Sequence, residues 1–254
     1  SPYTGSMYID DPYLENELTI DKLHFPHSHS GSALFKKDEF TALISDYDSQ
    51  SWQIATHAQG DKAIQEILDI FYDVGIQNKK DSRHRLEHCL LLDELSIKRM
   101  KALGIHPSFH INHLYYYGEA LAKDIIGEKR AAQILPVSIA EKNFLRYSLH
   151  ADQPMFNSAP LHLIHTAVNR KTRHGKLIGA HNRVSVESAL KAMTIQSAWQ
   201  IKMDDKIGSI KVNKYADFVI LAENPLEASV DKIKDIQILE TIVNGNTIFR
   251  LKDK

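Results

Sequence analysis

The sequence predicts an α/β fold of parallel strands followed by a small all-β segment. Three observations carry this prediction. Between residues 40 and 201, short β-prone runs alternate with stretches of helical apolar spacing. Each β-prone run closes on a polar residue able to do chemistry: His57, His88, His110, or the His150-Ala151-Asp152 corner. After Lys206 the helical spacing stops, and short strands separated by turns take over.

Taken in order, the first forty residues are rich in Ser, Pro, Tyr, Gly and His without sustained periodicity, and read as loop. Ser1-Pro2-Tyr3 lacks an initiator Met and reads as a start inside a longer protein. The first strand, 52–56, ends at His57. Asp61 is placed to cap the next helix, whose apolar positions are Ile64, Ile67, Leu68, Phe71 and Val74. A second strand at 83–88 precedes a helix through Leu92, Leu95 and Met100 to Leu103. A third strand spans 104–110, and a helical insert follows at 119–133. The fourth strand, 144–149, runs into His150. Helices are expected at 161–169 and 185–201, the second with Val186, Ala189, Leu190 and Met193 on one face. Strands are then expected at 207–210, 216–221, 238–243 and 247–250, with Asn244-Gly245 as a hairpin turn. Repeated βα units suit a barrel or an open doubly wound sheet. The absence of a G-x-G-x-x-G or P-loop stretch weakens a nucleotide-binding version.

Composition narrows the function classes. A formal net charge of −1 gives no reason to expect nucleic acid or an anionic membrane as partner. The basic stretch 79–85 reads as a solvated loop before a strand. No apolar run approaches the roughly 18–20 residues of a spanning helix. The single cysteine, Cys89, excludes an intrachain disulfide and suits a reducing, cytoplasmic compartment.

Fourteen histidines are present, and their placement matters more than their number. Functional groups of parallel barrels collect at strand C-terminal ends. Imidazole nitrogen and carboxylate oxygen are the ligands that zinc and similar ions prefer. One strand-end histidine is ordinarily a packing residue, but His57, His88 and Asp152 at three strand ends point to a metal site.

Six segments, in order, carry a family resemblance. They are His57-Ala58-Gln59-Gly60-Asp61, Arg85-Leu86-Glu87-His88-Cys89, the segment Asn112-His113-Leu114-Tyr115-Tyr116-Tyr117-Gly118-Glu119, His150-Ala151-Asp152-Gln153-Pro154, Ala167-Val168-Asn169-Arg170-Lys171-Thr172, and Ile207-Gly208-Ser209-Ile210 with Ala216-Asp217-Phe218-Val219. Together they resemble the third amidohydrolase family, in its branch named for N-substituted formamide deformylase and for exoenzyme regulation. The resemblance implies the C-terminal half of a (β/α)8 TIM-type barrel at 1–205, with strands of a small composite β-sandwich at 206–254. It implies a divalent metal, most often zinc, held by His57, His88 and Asp152. Asp152 would also shuttle the proton, His113 would steady the oxyanion, and Tyr116 and His150 would contact substrate. The implied reaction is hydrolysis of a non-peptide C–N bond, amide or formamide, in a small molecule.

The sequence also departs from the family. The His-x-His of the first barrel strand and the lysine ligand of the fourth are not among these residues. His27-Ser28-His29 has the letters of the former but sits in a Ser- and Gly-rich loop with no apolar strand before it. His106, His162, His165, His174 and His181 lack motif support and read as surface or packing residues. The expectation is therefore an isolated chain that is inactive and holds metal weakly or not at all, covered by the missing N-terminal half or by another copy of itself. The alternative is a non-catalytic homologue with a regulatory or assembly role.

Overall fold

The computed structural model describes residues 1–78 and 81–252. Lys79 and Lys80, which open the basic stretch, lie outside the described residues. Strands β1 (Ala55–Ala58), β2 (Arg85–His88), β3 (His106–His110) and β4 (Ser148–His150) form one sheet in that order. All three pairings are parallel. The helices are α1 (Lys37–Ser49), α2 (Asp61–Val74), α3 (Glu94–Leu103), α4 (Asn112–Ala120), α5 (Glu128–Ala131), α6 (Val137–Lys142), α7 (Pro160–Asn169), α8 (Val186–Met193) and α9 (Ile195–Gln200). None is long and apolar enough to cross a membrane among the described residues. Strands β5 (Phe218–Leu221), β6 (Ile238–Val243) and β7 (Asn246–Arg250) form a separate antiparallel sheet.

The core lies between the parallel sheet and its helices. Leu86, Phe109 and Leu149 share one face of the sheet and are buried, together with Ile64, Leu68 and Phe71 of α2 and with Ile97 and Met100 of α3. Helix α2 stops at Gly75 and α3 at Gly104, both in the left-handed conformation that favours glycine. Asp93 caps α3 by accepting from the Ser96 N–H.

Helix α9 closes the N-terminal ends of all four strands. Gln53, just before β1, donates to the Gln200 carbonyl at 2.5 Å, and Arg83, before β2, donates to that of Trp199 at 2.7 Å. The Gln200 side-chain amide donates to Pro107 O of β3, and its oxygen accepts from Ser148 of β4. The guanidinium groups of Arg83 and Arg146 both lie over the Trp199 ring, 4.5 and 4.3 Å from its centroid.

Several elements differ from expectation, each for a local reason. The first forty residues are an ordered arm, with Met7, Ile9, Tyr13, Thr19 and Phe25 buried. The arm crosses the β1–α2 turn so closely that a Cβ on Gly60 would stand 1.9 Å from Tyr8 O. Asp61 is the first residue of α2 rather than its cap, and its carboxylate accepts from the Asp10 N–H of the arm. The Gly and Asp of the His57–Asp61 motif thus dock the arm.

The expected helix 185–201 breaks at Thr194, whose hydroxyl donates back to Leu190 O. Residues 207–210 form a loop instead of a strand. The Lys214 ammonium gathers Asp204 O, Ile207 O and Ser209 Oγ around itself. Gly208, at φ 84°, packs where a Cβ would lie 2.6 Å from that of Ala198. The helical insert begins at α4, earlier than 119. Residues Val230–Asp235 form a 3-10 turn against α7, because it buries Ile233 and gives Val230 O to Asn169 Nδ2 at 2.7 Å.

Candidate metal centre

The C-terminal ends of the four strands bring five imidazoles together. His57 and His88 rings stand 4.4 Å apart, His88 and His150 5.1 Å, His110 and His150 5.0 Å, and His110 and His113 4.1 Å. Each arrives by a different local device. His57 lies inside β1, at the free edge of the sheet, and is exposed. At His88 and Cys89 the backbone turns left-handed (φ 75° and 52°), which ends β2 at the site. Such conformations cost about 1–2 kcal/mol outside glycine. Two hydrogen bonds hold this one, Cys89 N–H to Ala58 O and Leu91 N–H to Gln59 O, both at 2.9 Å. His110 ends β3, and His113 follows on the first turn of α4. Asp152, at φ 54°, places its carboxylate 3.9 Å from His110 Nδ1.

The ligand atoms of His88, His110 and Asp152 all lie within 4.8 Å of one another. Buried polar atoms without a hydrogen-bond partner among the described residues concentrate here. They include His88 Nδ1, both His110 ring nitrogens, His113 Nδ1, His150 Nε2, Asn112 Oδ1 and Gln59 Oε1. Leaving such atoms unpaired costs about 1–3 kcal/mol each. Imidazole nitrogens left bare beside a carboxylate are the donor set a divalent cation uses, so these residues fit a metal.

Burial keeps the histidines neutral. It pushes His88 down to about 2 and His113 to about 3, with help from neighbouring imidazoles, and pushes His110 down as well. His150 is lowered, first by burial, and His57, although open to solvent at the sheet edge, is lowered by partial desolvation of its ring. The Cys89 thiol, wholly buried, is raised by burial and carries no reactive thiolate.

A consequence for stability follows, with its sign. An unfolded imidazole titrates near ~6.5. The unfolded chain therefore binds protons that the folded chain refuses. Stability is whole above about pH 6.5 and is lost as pH falls toward the folded values, by up to about 1.4 kcal/mol per pH unit for each such histidine. With chelator present, the urea midpoint is expected to drop steeply between about pH 6.5 and 4.5, and less steeply in His113→Gln. A flat midpoint over that window would refute the assignment of these rings as buried and neutral.

The other residues singled out from the sequence take clear places. Tyr116 stacks on Phe156 at 4.5 Å, beside the cluster, and Phe156 lies 5.5 Å from the His110 ring. Glu87, Leu149, His150, Asp152 and Met193 line a cavity of about 380 Å³ at the strand ends. His27 pairs with Glu15 and His29 bonds Gly5 O, so neither joins the cluster. His106 packs edge-on to Trp199 at the opposite strand ends. The structure groups the ligand atoms of His88, His110 and Asp152; His57 of the expected set lies outside that group, and His110, whose signal was its place at the end of β3, was not in the expected set.

Comparison with known proteins agrees with this chemistry. Residues 4–249 match the amidohydrolase family. N-substituted formamide deformylase of Arthrobacter pascens is 27% identical over 240 residues, covering 94% of this chain and 44% of that protein. Protein LONG AFTER FAR-RED 3 of Arabidopsis thaliana is 35% identical over 208 residues, covering 80% and 35%. An uncharacterized metal-dependent hydrolase from Pyrococcus furiosus superposes with a TM-score of 0.72 at 25% identity, over 89% of this chain and 43% of that one. The chain thus spans less than half the length of these relatives. A family match across nearly the whole sequence, with the histidine cluster at the strand ends, makes this chain a member of the amidohydrolase family.

Proposed function

We propose that this chain is the C-terminal part of a hydrolase that cleaves non-peptide C–N bonds, amide or formamide, in small molecules. The observation that supports it best is the convergence of neutral, unpartnered imidazoles and Asp152 at the C-terminal ends of parallel strands. In this reading residues 1–205 are half of a (β/α)8 barrel, and 206–254 contribute strands to a composite β-sandwich. His57, His88 and Asp152 are ligands for a divalent ion, most often zinc in such sites. A bound ion supplies Lewis acidity and a water acidic enough to ionise near neutral pH.

The chain's own groups do the rest. Asp152 is exposed to the cavity, and in this reading it takes a proton from water and hands it to the leaving nitrogen. In this reading His113, held neutral, steadies the developing oxyanion by hydrogen bonding. Tyr116 and His150 contact the substituents of the substrate.

The free edge of β1 supports a covering partner. Beside it lies a cleft of about 690 Å³ lined by Leu34, Phe35, Leu43, Tyr47 and Trp52, all substantially exposed. A closed barrel has no such edge. The N-terminal half, or a second copy, would cover it and complete the ligand set, and without that cover the chain would be inactive. The same open edge favours a second reading, a non-catalytic homologue with an assembly role.

The test is an amide and formamide panel run on the complete metal-loaded protein. Turnover that a chelator abolishes and zinc restores is expected. No turnover in a fully loaded, folded protein would favour the non-catalytic reading.

A further inference from the structure

We infer that Tyr3, on the N-terminal arm, is a further residue of the site: its phenol O–H, beside His113, donates to the carbonyl oxygen of the bound substrate. The inference rests on the hydrolase reading above and extends it to a residue outside the strand ends.

Three observations carry it. Tyr3 packs against the cluster, its ring 5.8 Å from that of His113 and 4.3 Å from that of Tyr117. Tyr3 Oη and His113 Nδ1 are both buried, and neither has a hydrogen-bond partner among the described residues. Burying a hydroxyl without a partner works against folding, and a ligand is the partner that accounts for it. A substrate oxygen seated against both groups would satisfy the two at once. Burial, helped by Tyr117, pushes the phenol above its ordinary range, so it keeps its proton and remains a donor at neutral pH.

The third observation is the support that fixes the ring. Residues Pro2–Thr4 form a 3-10 turn closed by Gly5 in the left-handed conformation, φ 67°. Ser1 O accepts from the N–H groups of Ser6 and Met7, both at 3.2 Å. His29 Nε2 donates to Gly5 O at 2.6 Å, and a Cβ on Gly5 would stand 2.9 Å from the Phe25 ring. Tyr13, Phe25 and His29 pack ring to ring beside this turn, and Tyr13 donates to Met7 O at 2.8 Å. The phenol is thus held in place before substrate arrives, as a donor to a developing oxyanion must be. When water adds to the carbonyl, negative charge collects on its oxygen, and a fixed O–H bond to that oxygen strengthens. The proton stays on the phenol throughout.

The test compares Tyr3→Phe with the unsubstituted protein, both complete and metal-loaded. Phe keeps the ring packing and removes only the O–H. On the amide and formamide panel, kcat/KM is expected to fall about 10²–10³-fold, the loss typical of one oxyanion donor. Bound metal should be equal in the two proteins. The urea midpoint should not drop, whereas a phenol whose O–H served only the fold would lower it. Affinity for formate, the acid product of a formamide, should weaken about 10–100-fold by calorimetry. In the His113→Gln background, Tyr3→Phe should weaken formate binding further. No further loss there would mean that the phenol acts only by holding His113, and would overturn the inference. So would equal kcat/KM, or equal formate affinity, in the two proteins. A folded, loaded protein without turnover fails the hydrolase reading instead, and formate affinity then decides on Tyr3 alone.

Discussion

Asp152→Asn is expected to lower kcat/KM of the complete, metal-loaded protein by about 10²–10⁴-fold, the range a positioned general acid–base contributes. The amide keeps the shape of the carboxylate but cannot accept the proton of water or return it to a leaving nitrogen. Because Asp152 also lies within reach of His88 and His110, bound metal must be measured in the same sample. Loss of turnover with the ion retained isolates the proton-transfer role, and loss of both points to ligation. Unchanged kcat/KM would remove Asp152 from the chemistry.

The largest stability effect is expected at Arg170. Its guanidinium is entirely buried and meets no carboxylate among its partners. It donates instead to three backbone carbonyls, Ile178 O at 2.9 Å, Leu135 O at 2.8 Å and Ile134 O at 2.7 Å. Burial and nearby Arg183 pull it down to about 9, still protonated at neutral pH. Arg170→Met removes a costly buried charge, yet strands three acceptors at about 1–3 kcal/mol each. The net expected loss is about 3 kcal/mol, read as a lower urea midpoint at unchanged slope. Arg170→Lys should recover part of it, because one ammonium cannot span three carbonyls in a planar fork. A midpoint equal to that of the unsubstituted chain would show the three bonds to be energetically idle.

Much of the parallel sheet was legible because its signals are local. A β-prone run followed by helical spacing is readable wherever both fit within a short stretch of chain, as from Trp52 to Val74. Strand-end histidines could be placed by the same reading. Other features depend on contacts between distant segments. Nothing near Gly60 in sequence announces that Tyr8 O will lie against it. Ile207 and Ile210 are good strand residues, but Lys214 finds its acceptors only when that segment loops around it. His110 illustrates the limit at the site. Its position at a strand end was readable, while the bareness of both ring nitrogens depends on what surrounds the ring in three dimensions. Helix α1 carries Phe40, Leu43, Ile44 and Tyr47 at helical spacing, so its existence was within reach of the sequence.

The clamp made by α9 has a mechanical consequence. One short helix ties β1, β2, β3 and β4 together at their N-terminal ends, through Gln53, Arg83, Gln200 and Ser148. At the opposite ends, where the imidazoles gather, Cys89 N–H to Ala58 O and Leu91 N–H to Gln59 O join β1 to β2, but among the described residues no single helix bonds to all four strands. The base is therefore expected to be the stiffer end of the sheet, as in a fan held at the pivot. Amide hydrogens near Pro107 and Ser148 should accordingly exchange more slowly than those at His88 and His150.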